Sequence, residues 1–398
     1  MGCAFSESEN NALHPHSGMA SSYNHNRQRK INPDISYGPD ETDLIESLLI
    51  SCGNNTLIDR LLGCAYGQAL GDAYGLSTEF ETYERIVENY PEKSKLIPFP
   101  DYKLTGHSCR WVQGDWTDDT DQWILILETI LESNADEKVF ARKLKDWIRH
   151  GFPVLGDQGG MGLGANVSQV VSRPDYLDDP IETSRSVWEK GNRKAAPNGA
   201  VMRCSAVALV YYNDLERLKS ITISMCKTTH CDPRCIASCL AVCLVVAELI
   251  NKNVDGDSIE SIVRKSQEET IRILGTDFPQ DQIEAFLWHT NASRTLNDLQ
   301  LDEHGKIGYT YKCLGSGFYG LRSKLSFQQT LNDLIRHGGD ADTNGAVCGT
   351  MYGARYGYSK LPAEWLRAMP YKKWFDKKII SCLQQIKVIE SKKISTPL

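Results

Sequence analysis

The sequence lacks several features that would assign it to a common functional class. Basic residues are not in excess, because 44 Lys and Arg stand against 51 Asp and Glu and the net charge is −7. Proteins that bind nucleic acid usually present a basic surface, so sequence-specific nucleic-acid binding is not expected. No uninterrupted apolar run is as long as about 18 residues, the length that spans a bilayer, so no transmembrane helix is predicted. No Gly-x-x-x-x-Gly-Lys-Ser/Thr loop occurs, which argues against a P-loop nucleotidase.

Strand signals are also scarce, since no segment shows a clean alternation of β-branched or aromatic residues between turn signals. Helical periodicity is frequent instead. The clearest periodic segments are 57–74, 123–132, 139–149, 200–212, 234–251 and 345–357. The pattern predicts an all-α fold, a single compact multi-helix domain over residues 44–372, with long loops near 172–198 and 275–316.

The two ends of the chain differ from this predicted domain. Residues 1–43 are rich in Ser, Asn and His and are predicted to form a disordered tail. The start Met-Gly-Cys-Ala-Phe-Ser fits a myristoylation pattern at Gly2, and Cys3 beside it is a candidate for palmitoylation, although so short a pattern also arises by chance. Two acyl chains would give stable peripheral membrane attachment.

Residues 373–398 are predicted to form a basic C-terminal helix or tail. A docked last helix with a solvated basic face is one interpretation, and a membrane-surface helix is the other. Because no secretory signal precedes the domain, we expect a cytoplasmic protein, with membrane association through the N-terminal lipid if the acylation pattern is used. We also expect a monomer.

The chain has 13 cysteines, an odd number that favours reduced thiols over a disulfide framework. Four of them recur at intervals of four residues, at Cys231, Cys235, Cys239 and Cys243. Such spacing places them on one helix face, but ligands spread over about 18 Å cannot all reach one zinc ion. A packed face of small side chains is the preferred interpretation.

Two predicted helices carry glycine at intervals of four residues. The series are Gly63, Gly67, Gly71 and Gly75, and Gly345, Gly349, Gly353 and Gly357. Each glycine inside a helix costs about 1 kcal/mol relative to alanine, so four on one face require a reason. The spacing predicts two helix backbones in close contact.

Three acidic segments adjoin predicted helices. They are Gly71-Asp72-Ala-Tyr-Gly75 with Glu79, Gly114-Asp115-Trp116-Thr117-Asp118-Asp119-Thr120-Asp121, and Gly338-Gly339-Asp340-Ala341-Asp342-Thr343-Asn344-Gly345. Helix capping explains one or two acids in each segment, but not pairs flanked by threonine or glycine. Gathered carboxylates repel one another unless a cation or protons neutralise them. Oxygen donors of this kind favour Mg²⁺, Mn²⁺ or Ca²⁺, and separate segments make two ions plausible.

Two other interpretations of the third segment fail on the sequence. Residues 340–345 match the opening of a calcium-binding EF-hand loop, but its twelfth position is Met351 where Glu is required. A phosphotransferase with an Asp-x-Asp-x-Thr nucleophile would need a preceding strand. His337-Gly338-Gly339 precedes the segment instead.

Together the acidic segments resemble the ADP-ribosylglycohydrolase family. The matching motifs are Gly71-Asp72-x-x-Gly75 with Glu79, Trp116-Thr117-Asp118-Asp119-Thr120, and Gly339-Asp340-Ala341-Asp342-Thr343-Asn344-Gly345-Ala346. Weaker matches follow in the family's order at Pro197-Asn198-Gly199, Thr229-His230 and Leu361-Pro362. The resemblance covers about residues 56–370.

The resemblance implies an all-α fold with a binuclear metal cleft and two Mg²⁺ ions, with Mn²⁺ as an alternative. The ligands it implies are Thr117, Asp118, Asp119, Asp340, Asp342 and Thr343. It further implies an enzyme that hydrolyses the N- or O-glycosidic bond between ADP-ribose and a modified protein side chain. An ADP-ribosylated protein or an ADP-ribose-type small ligand would then be its partner.

Motif matches also suggest roles around that cleft. Glu79 matches an acid that would position or activate the leaving group, and Asp119 would orient or deprotonate the water, although either could be the base. The glycine loop Gly159-Gly160-Met161-Gly162-Leu163-Gly164 resembles the family's glycine loop, and Gly162 and Gly164 would offer backbone N–H groups to the diphosphate, with a plain flexible loop as the alternative.

Three further residues match positions that line the cleft, Asn198, Gly199 and His230, with helix capping as the alternative for the histidine. Arg203 is expected to make a structural contact. Two other functions stay open at this point. One is a non-catalytic ADP-ribose-binding descendant of the fold, and the other is a magnesium-dependent phosphohydrolase.

Overall fold

A computed structural model describes residues 34–38, 41–251 and 256–390. The candidate acylation positions Gly2 and Cys3, and the tail around them, lie outside the described residues.

The described chain is helical, which confirms the predicted all-α class. Its helices begin with α1 Leu44–Ser51, α2 Thr56–Gly75, α3 Tyr83–Asn89, α4 Asp118–Ser133, α5 Glu137–His150, α6 Ala165–Val171, α7 Pro180–Lys190, α8 Ser205–Tyr211 and α9 Leu215–Lys227. They continue with α10 Pro233–Asn251, α11 Gly256–Leu274, α12 Gln280–His289, α13 Leu296–Leu299, α14 Thr310–Arg322, α15 Phe327–Ile335, α16 Ala341–Tyr356, α17 Ala363–Ala368 and α18 Lys372–Gln385. The only β-pairing in this part of the chain is an isolated bridge between Pro197 and Tyr309.

Two predicted loops are partly wrong, because they contain short helices. The loop near 172–198 includes α7, and the loop near 275–316 includes α12 and α13. Both α7 and α13 begin at a capping side chain: Asp179 accepts from the Glu182 N–H, and Thr295 accepts from the Asp298 N–H. Such local caps stabilise short polar helices that carry little apolar periodicity.

Helices α2 and α16 run antiparallel with their backbones in contact along the two glycine series. A Cβ added to Gly67 would lie 2.2 Å from the Gly349 carbonyl oxygen, and one added to Gly71 would lie 2.0 Å from that of Gly345. No side chain larger than hydrogen fits at such distances, so the predicted close approach is confirmed. We call this contact the glycine seam.

The glycine seam places the C-terminal end of α2 beside the N-terminal end of α16. A Cβ on Gly75, the last residue of α2, would lie 2.2 Å from the carbonyl oxygen of Ala341, the first residue of α16. On its other side α16 packs against α14, where a Cβ on Gly320 would lie 2.5 Å from the Cys348 Sγ. Helix α16 is therefore held between two helices at the centre of the fold.

Helix α10 is long and apolar enough to cross a membrane, although the sequence, with no uninterrupted apolar run of that length, predicted no spanning segment. Within the fold, 78% of its most apolar stretch is buried, as in the core helix of a globular domain. Cys235, Cys239 and Cys243 are fully buried on this helix. The Cys235 thiol contacts the Pro197 carbonyl oxygen at 3.2 Å, in keeping with a packed face. No described cysteine joins a group of side chains that could hold a metal ion.

Contacts cross both predicted domain boundaries, at residues 43 and 372. The backbone N–H of Trp374 donates to the Ile35 carbonyl at 3.3 Å, and the Tyr37 hydroxyl donates to Asp376 at 2.5 Å. The Lys372 ammonium group is buried between Asp43 and Asp376, at 2.6 and 2.9 Å. The boundaries stay predictions, but residues 34–38, residues 41–43 and α18 pack against the helical domain.

A methyl group at the glycine seam should be poorly tolerated. Gly67→Ala would place its Cβ 2.2 Å from a backbone oxygen that cannot rotate away. We expect a loss of at least about 3 kcal/mol in the free energy of unfolding, measured by chemical denaturation. Gly106→Ala is the matched control, because a Cβ there meets no atom within 4 Å. Equal stability of the two variants would contradict the seam as described.

Candidate metal centre

Asp72 of α2 fixes the start of α4. One carboxylate oxygen accepts from the Thr117 N–H at 2.9 Å, and the other accepts from the Thr120 N–H at 3.0 Å and from its hydroxyl at 2.6 Å. Asp72 is fully buried. The free N–H groups at the beginning of a helix require such acceptors, so α4 starts at the point where α2 can supply them.

Side chains from α4 and α16 interlock beside Asp72. The Thr343 hydroxyl donates to Asp119 at 3.0 Å. The Thr117 hydroxyl lies 3.3 Å from an Asp119 oxygen and 3.2 Å from an Asp342 oxygen. Oxygens of Asp72, Asp119 and Asp342 all lie within 4.8 Å of one another. Three acids far apart in sequence thus meet at one buried position.

A second acidic group adjoins the first. Oxygens of Glu79, Asp340 and Asp342 also lie within 4.8 Å of one another, so Asp342 is common to both groups. Asp340 accepts from the Asn198 side-chain amide at 2.9 Å. The candidate centre therefore offers two adjoining sets of oxygen ligands that meet at Asp342.

Asp118 lies at the edge of these groups, and the structure does not place it in either of the two sets. Its Oδ2 accepts from the Gln122 side chain at 2.7 Å. Its Oδ1 faces Gly162, where an added Cβ would lie 2.3 Å away and where φ is +88°. Glycine is needed at Gly162 for both reasons, and the glycine loop therefore meets the acidic centre at Asp118.

Burial raises the pKa of these acids, and their proximity adds to the effect. The pKa of Asp72 is raised to about 7, mainly by burial. The pKa values of Asp118, Asp119 and Asp342 lie well above the ordinary range, first because of burial and then because of neighbouring carboxylates. Protons or cations are therefore favoured at the centre.

The donor set fits a hard divalent cation. Carboxylates and threonine hydroxyls are the groups that bind Mg²⁺ and Mn²⁺ in proteins. Within the described residues, no Lys or Arg forms an ion pair with Asp118, Asp119, Asp340 or Asp342. The carboxylates are thus not neutralised by the protein itself.

The candidate substrate-binding residues have different neighbours, and only some of them contact the acids. Asn198 contacts Asp340 directly, as described above, whereas Gly199 packs against His230, with an added Cβ 3.2 Å from its ring. The His230 ring bonds Thr229 through Nδ1 at 2.7 Å, and its buried Nε2 has no hydrogen-bond partner among the described residues. Gly164 caps α6 without crowding, since nothing lies within 4 Å of an added Cβ.

Arg203 makes structural contacts rather than facing the acids. It is fully buried, its guanidinium donates to the side chain of Gln122, and it donates to the Thr229 hydroxyl at 2.6 Å. Gln122 bonds Asp118 and Thr229 bonds His230. One buried cation therefore contacts both the partner of Asp118 and the partner of His230.

Three residues that shape the centre are missing from the predicted site. Asp72 was part of a recognised motif, but its role in capping α4 depends on a contact between helices 45 residues apart. Gln122 and His107 belong to no motif. The Nε2 of His107 lies 2.8 Å from Glu79 Oε2, a contact that only the folded chain reveals.

Comparisons with known proteins point to one family. A family model described as ADP-ribosylglycohydrolase matches residues 53–391. The ADP-ribosylarginine hydrolase Tri1 of Serratia proteamaculans is 23% identical, over 78% of this chain and 75% of the relative. The ADP-ribosyl-[dinitrogen reductase] glycohydrolase of Rhodospirillum rubrum is 24% identical, over 79% of this chain and 91% of the relative. A solved structure titled ADP-ribosylglycohydrolase-related protein complex superposes with a TM-score of 0.58 at 22% identity and covers 82% of this chain and 98% of its own.

The raised pKa values predict how pH changes the effect of a metal on stability. A carboxyl group whose pKa is raised in the folded state stabilises the fold while it is protonated, and this contribution is lost as pH rises through the raised pKa. For Asp72 that pKa is about 7. In EDTA, where no metal is bound, the loss of folding stability should therefore be larger at pH 8 than at pH 5. We expect Mg²⁺ to raise the Tm by on the order of 5 °C at pH 8 and by much less at pH 5.

Differential scanning fluorimetry with Mg²⁺ and with EDTA measures this difference. Asp342→Asn should reduce the gain at pH 8, whereas the exposed Asp281→Asn should leave it unchanged. A gain from Mg²⁺ that is the same at both pH values would contradict the prediction.

Proposed function

The chain belongs to the ADP-ribosylglycohydrolase family, and we propose that it hydrolyses the N- or O-glycosidic bond between ADP-ribose and a protein side chain in a magnesium-dependent reaction. The observation that carries the proposal is the sharing of Asp342 by two sets of acidic oxygens, in which every residue is buried except the partly buried Asp340. Curated relatives whose names describe ADP-ribosyl hydrolysis support the reaction class.

The metal is proposed to be a pair of Mg²⁺ ions, with Mn²⁺ as a substitute. The groups that would hold it are Thr117, Asp119, Asp340, Asp342 and Thr343, with Asp118 at the edge. When bound, the metal would supply Lewis-acid chemistry, by orienting sugar hydroxyls and making a bound water more acidic.

Glycoside cleavage passes through an oxocarbenium-like state that nearby carboxylates stabilise. Asp119 is proposed to accept a proton from the attacking water, because its carboxylate lies at the meeting point of α4 and α16. Glu79 is proposed to face the leaving group, because it belongs to the acidic set that does not contain Asp119. The two acids would then have separate roles in the reaction.

The diphosphate is proposed to bind along the glycine loop. Gly162 has a positive φ and no side chain, which leaves backbone N–H groups accessible to an anion next to Asp118. Asn198, and His230 with its unpartnered Nε2, are proposed to contact the ligand along the same cleft. Recognition would then depend on backbone amides and neutral side chains, as suits a chain of net charge −7.

Loss of the shared acid should abolish the reaction. We expect Asp342→Asn to lower kcat by at least about 10³-fold, because it disturbs both acidic sets at once. Free ADP-ribose released from peptides ADP-ribosylated on arginine or on serine, separated by chromatography, is the measurement. Asp281→Asn, an exposed acid on α12, is the matched control and should retain activity.

Product analysis also separates the other functions. Inorganic phosphate or AMP in place of ADP-ribose would indicate phosphohydrolase chemistry. ADP-ribose binding without any turnover, with and without added Mg²⁺, would indicate a non-catalytic descendant. Activity that persists in excess EDTA would contradict the proposed magnesium dependence.

Membrane attachment through Gly2 and Cys3 is a separate proposal that rests on the N-terminal sequence pattern. Gly2→Ala should move the protein from the membrane to the soluble fraction, because one remaining acylation signal gives only marginal binding. Fractionation of cells that express the full chain measures this. An unchanged distribution of the Gly2→Ala variant would show that the pattern is a chance match.

A further inference from the structure

Asp121 accepts hydrogen bonds from two buried indole groups, one on each of its carboxylate oxygens. The Trp116 Nε1–H donates to Oδ1 at 2.7 Å, and the Trp147 Nε1–H donates to Oδ2 at 3.0 Å. Each of these three side chains is at most 2% exposed. Because Trp116 lies just before α4 and Trp147 lies in the last turn of α5, one carboxylate joins the two segments.

Trp116 connects Asp121 to the acidic centre. It directly precedes Thr117, whose hydroxyl lies 3.2 Å from an Asp342 oxygen. The Trp116 ring is fully buried and stacks on Trp374 of α18, with centroids 6.5 Å apart. The enclosed ring cannot move far without moving the backbone that carries Thr117, so the indole and the acidic centre are positioned together.

Trp147 connects the same carboxylate to the glycine loop. A Cβ added to Gly160 would lie 2.8 Å from the Trp147 ring, so the backbone of the loop rests directly on the indole. The Gly160 N–H donates to the Ile148 carbonyl at 3.2 Å, which fastens the loop to α5. Two residues further on, Gly162 faces Asp118. The position of the loop beside the acids therefore depends on where Trp147 lies.

The two indole contacts require a carboxylate. Each indole N–H can only donate, and the two oxygens of Asp121 supply one acceptor to each of them. Asparagine has nearly the same shape but only one oxygen, so its NH₂ group would face one of the indole N–H groups. A buried donor that faces another donor is unfavourable, so we expect that indole to shift away.

We propose that Asp121 is a positioning residue that holds the glycine loop in place beside the metal-binding segment. Through Trp116 it fixes the backbone that carries Thr117, and through Trp147 it fixes the ring on which the loop rests. The inference rests on the proposed function, in which this loop binds the diphosphate and the acids hold the metal. Loss of the link weakens binding of a ligand that contacts both, while binding of the metal alone persists.

Trp147→Phe removes the indole N–H and keeps a ring beneath Gly160. We expect the Kd for ADP-ribose, measured by isothermal titration calorimetry in saturating Mg²⁺, to rise about fivefold. The Kd for Mg²⁺ alone should stay within about twofold of the wild-type value, because Trp116 keeps its bond to Asp121. A merely structural role would lower the Tm and leave both Kd values unchanged.

Two results for Trp147→Phe would overturn the proposal. One is a Kd for ADP-ribose that changes by less than about twofold. The other is a parallel rise of the Kd for ADP-ribose and the Kd for Mg²⁺, which would indicate a general loosening of the fold.

Asp121→Asn tests whether the carboxylate is the link. Alone it should raise the Kd for ADP-ribose about tenfold, because one buried indole N–H then faces the amide NH₂. Added to Trp147→Phe it should raise the Kd by less than a further factor of about two, because the amide oxygen can still accept from Trp116 and the second donor is gone. Effects that multiply in the double variant would contradict the link.

Two matched controls lie away from Asp121. Trp288→Phe removes an indole of α12, and Asp281→Asn removes an exposed charge of the same helix. Both should leave the Kd for ADP-ribose unchanged. If Asp121→Asn does not fold, the two measurements on Trp147→Phe decide the question by the criteria above.

Binding measurements separate this inference from the proposed function, because they require no turnover. Wild-type protein that binds ADP-ribose but releases none from modified peptides would refute the function alone, and the variants would still test the link. Wild-type protein that binds no ADP-ribose would overturn the inference, because the glycine loop would then have no diphosphate to bind.

Discussion

The direct backbone contact between α2 and α16 is the constraint on which the rest of the structure depends. Four glycines on each helix allow carbonyl oxygens to occupy the space where side chains would lie. Because the helices are antiparallel, the end of α2 meets the start of α16, and Asp72 near that end also caps α4. The seam therefore brings two helix N-termini to one point. Both acid-bearing segments meet there, and every contact of the candidate metal centre follows from this arrangement.

The same arrangement makes the buried acids tolerable. A helix N-terminus carries a partial positive charge that stabilises nearby carboxylates, and α4 and α16 both point theirs at the centre. This offset is incomplete, because the pKa values of Asp119 and Asp342 remain raised. The remaining repulsion favours a bound cation. Stability and cation affinity would thus be coupled in this fold, because the repulsion that destabilises the ionised carboxylates is also what would favour a bound cation.

Much of the fold and of the candidate centre could be predicted from the sequence. The contacts that could not be predicted have one property in common. The glycine spacing predicted the close contact of α2 and α16, because it is a periodic signal. The acidic segments predicted a cluster of carboxylates that includes Asp119, Asp340 and Asp342, because each segment can be recognised locally. Asp118 was expected among the ligands and lies at the edge, where Gln122 donates to its Oδ2 and its Oδ1 faces Gly162. Contacts such as that of His107 with Glu79 join segments with no shared pattern. Such contacts depend on the path of the loops in the folded chain, and no motif or regular spacing in a single sequence indicates that path.

The placement of positive charge follows a consistent logic. Two guanidinium groups lie near the acids, and each is separated from the acid by another side chain rather than paired with it directly. Arg203 reaches Asp118 through Gln122, and Arg110 contacts His107, whose Nε2 lies 2.8 Å from Glu79 Oε2. A direct ion pair would lower the pKa of the carboxylate and occupy the oxygens that a cation or a substrate needs. The intervening Gln122 amide orients the Asp118 carboxylate and adds no charge of its own. The protein thereby fixes the geometry of its acids while keeping them available for ligands.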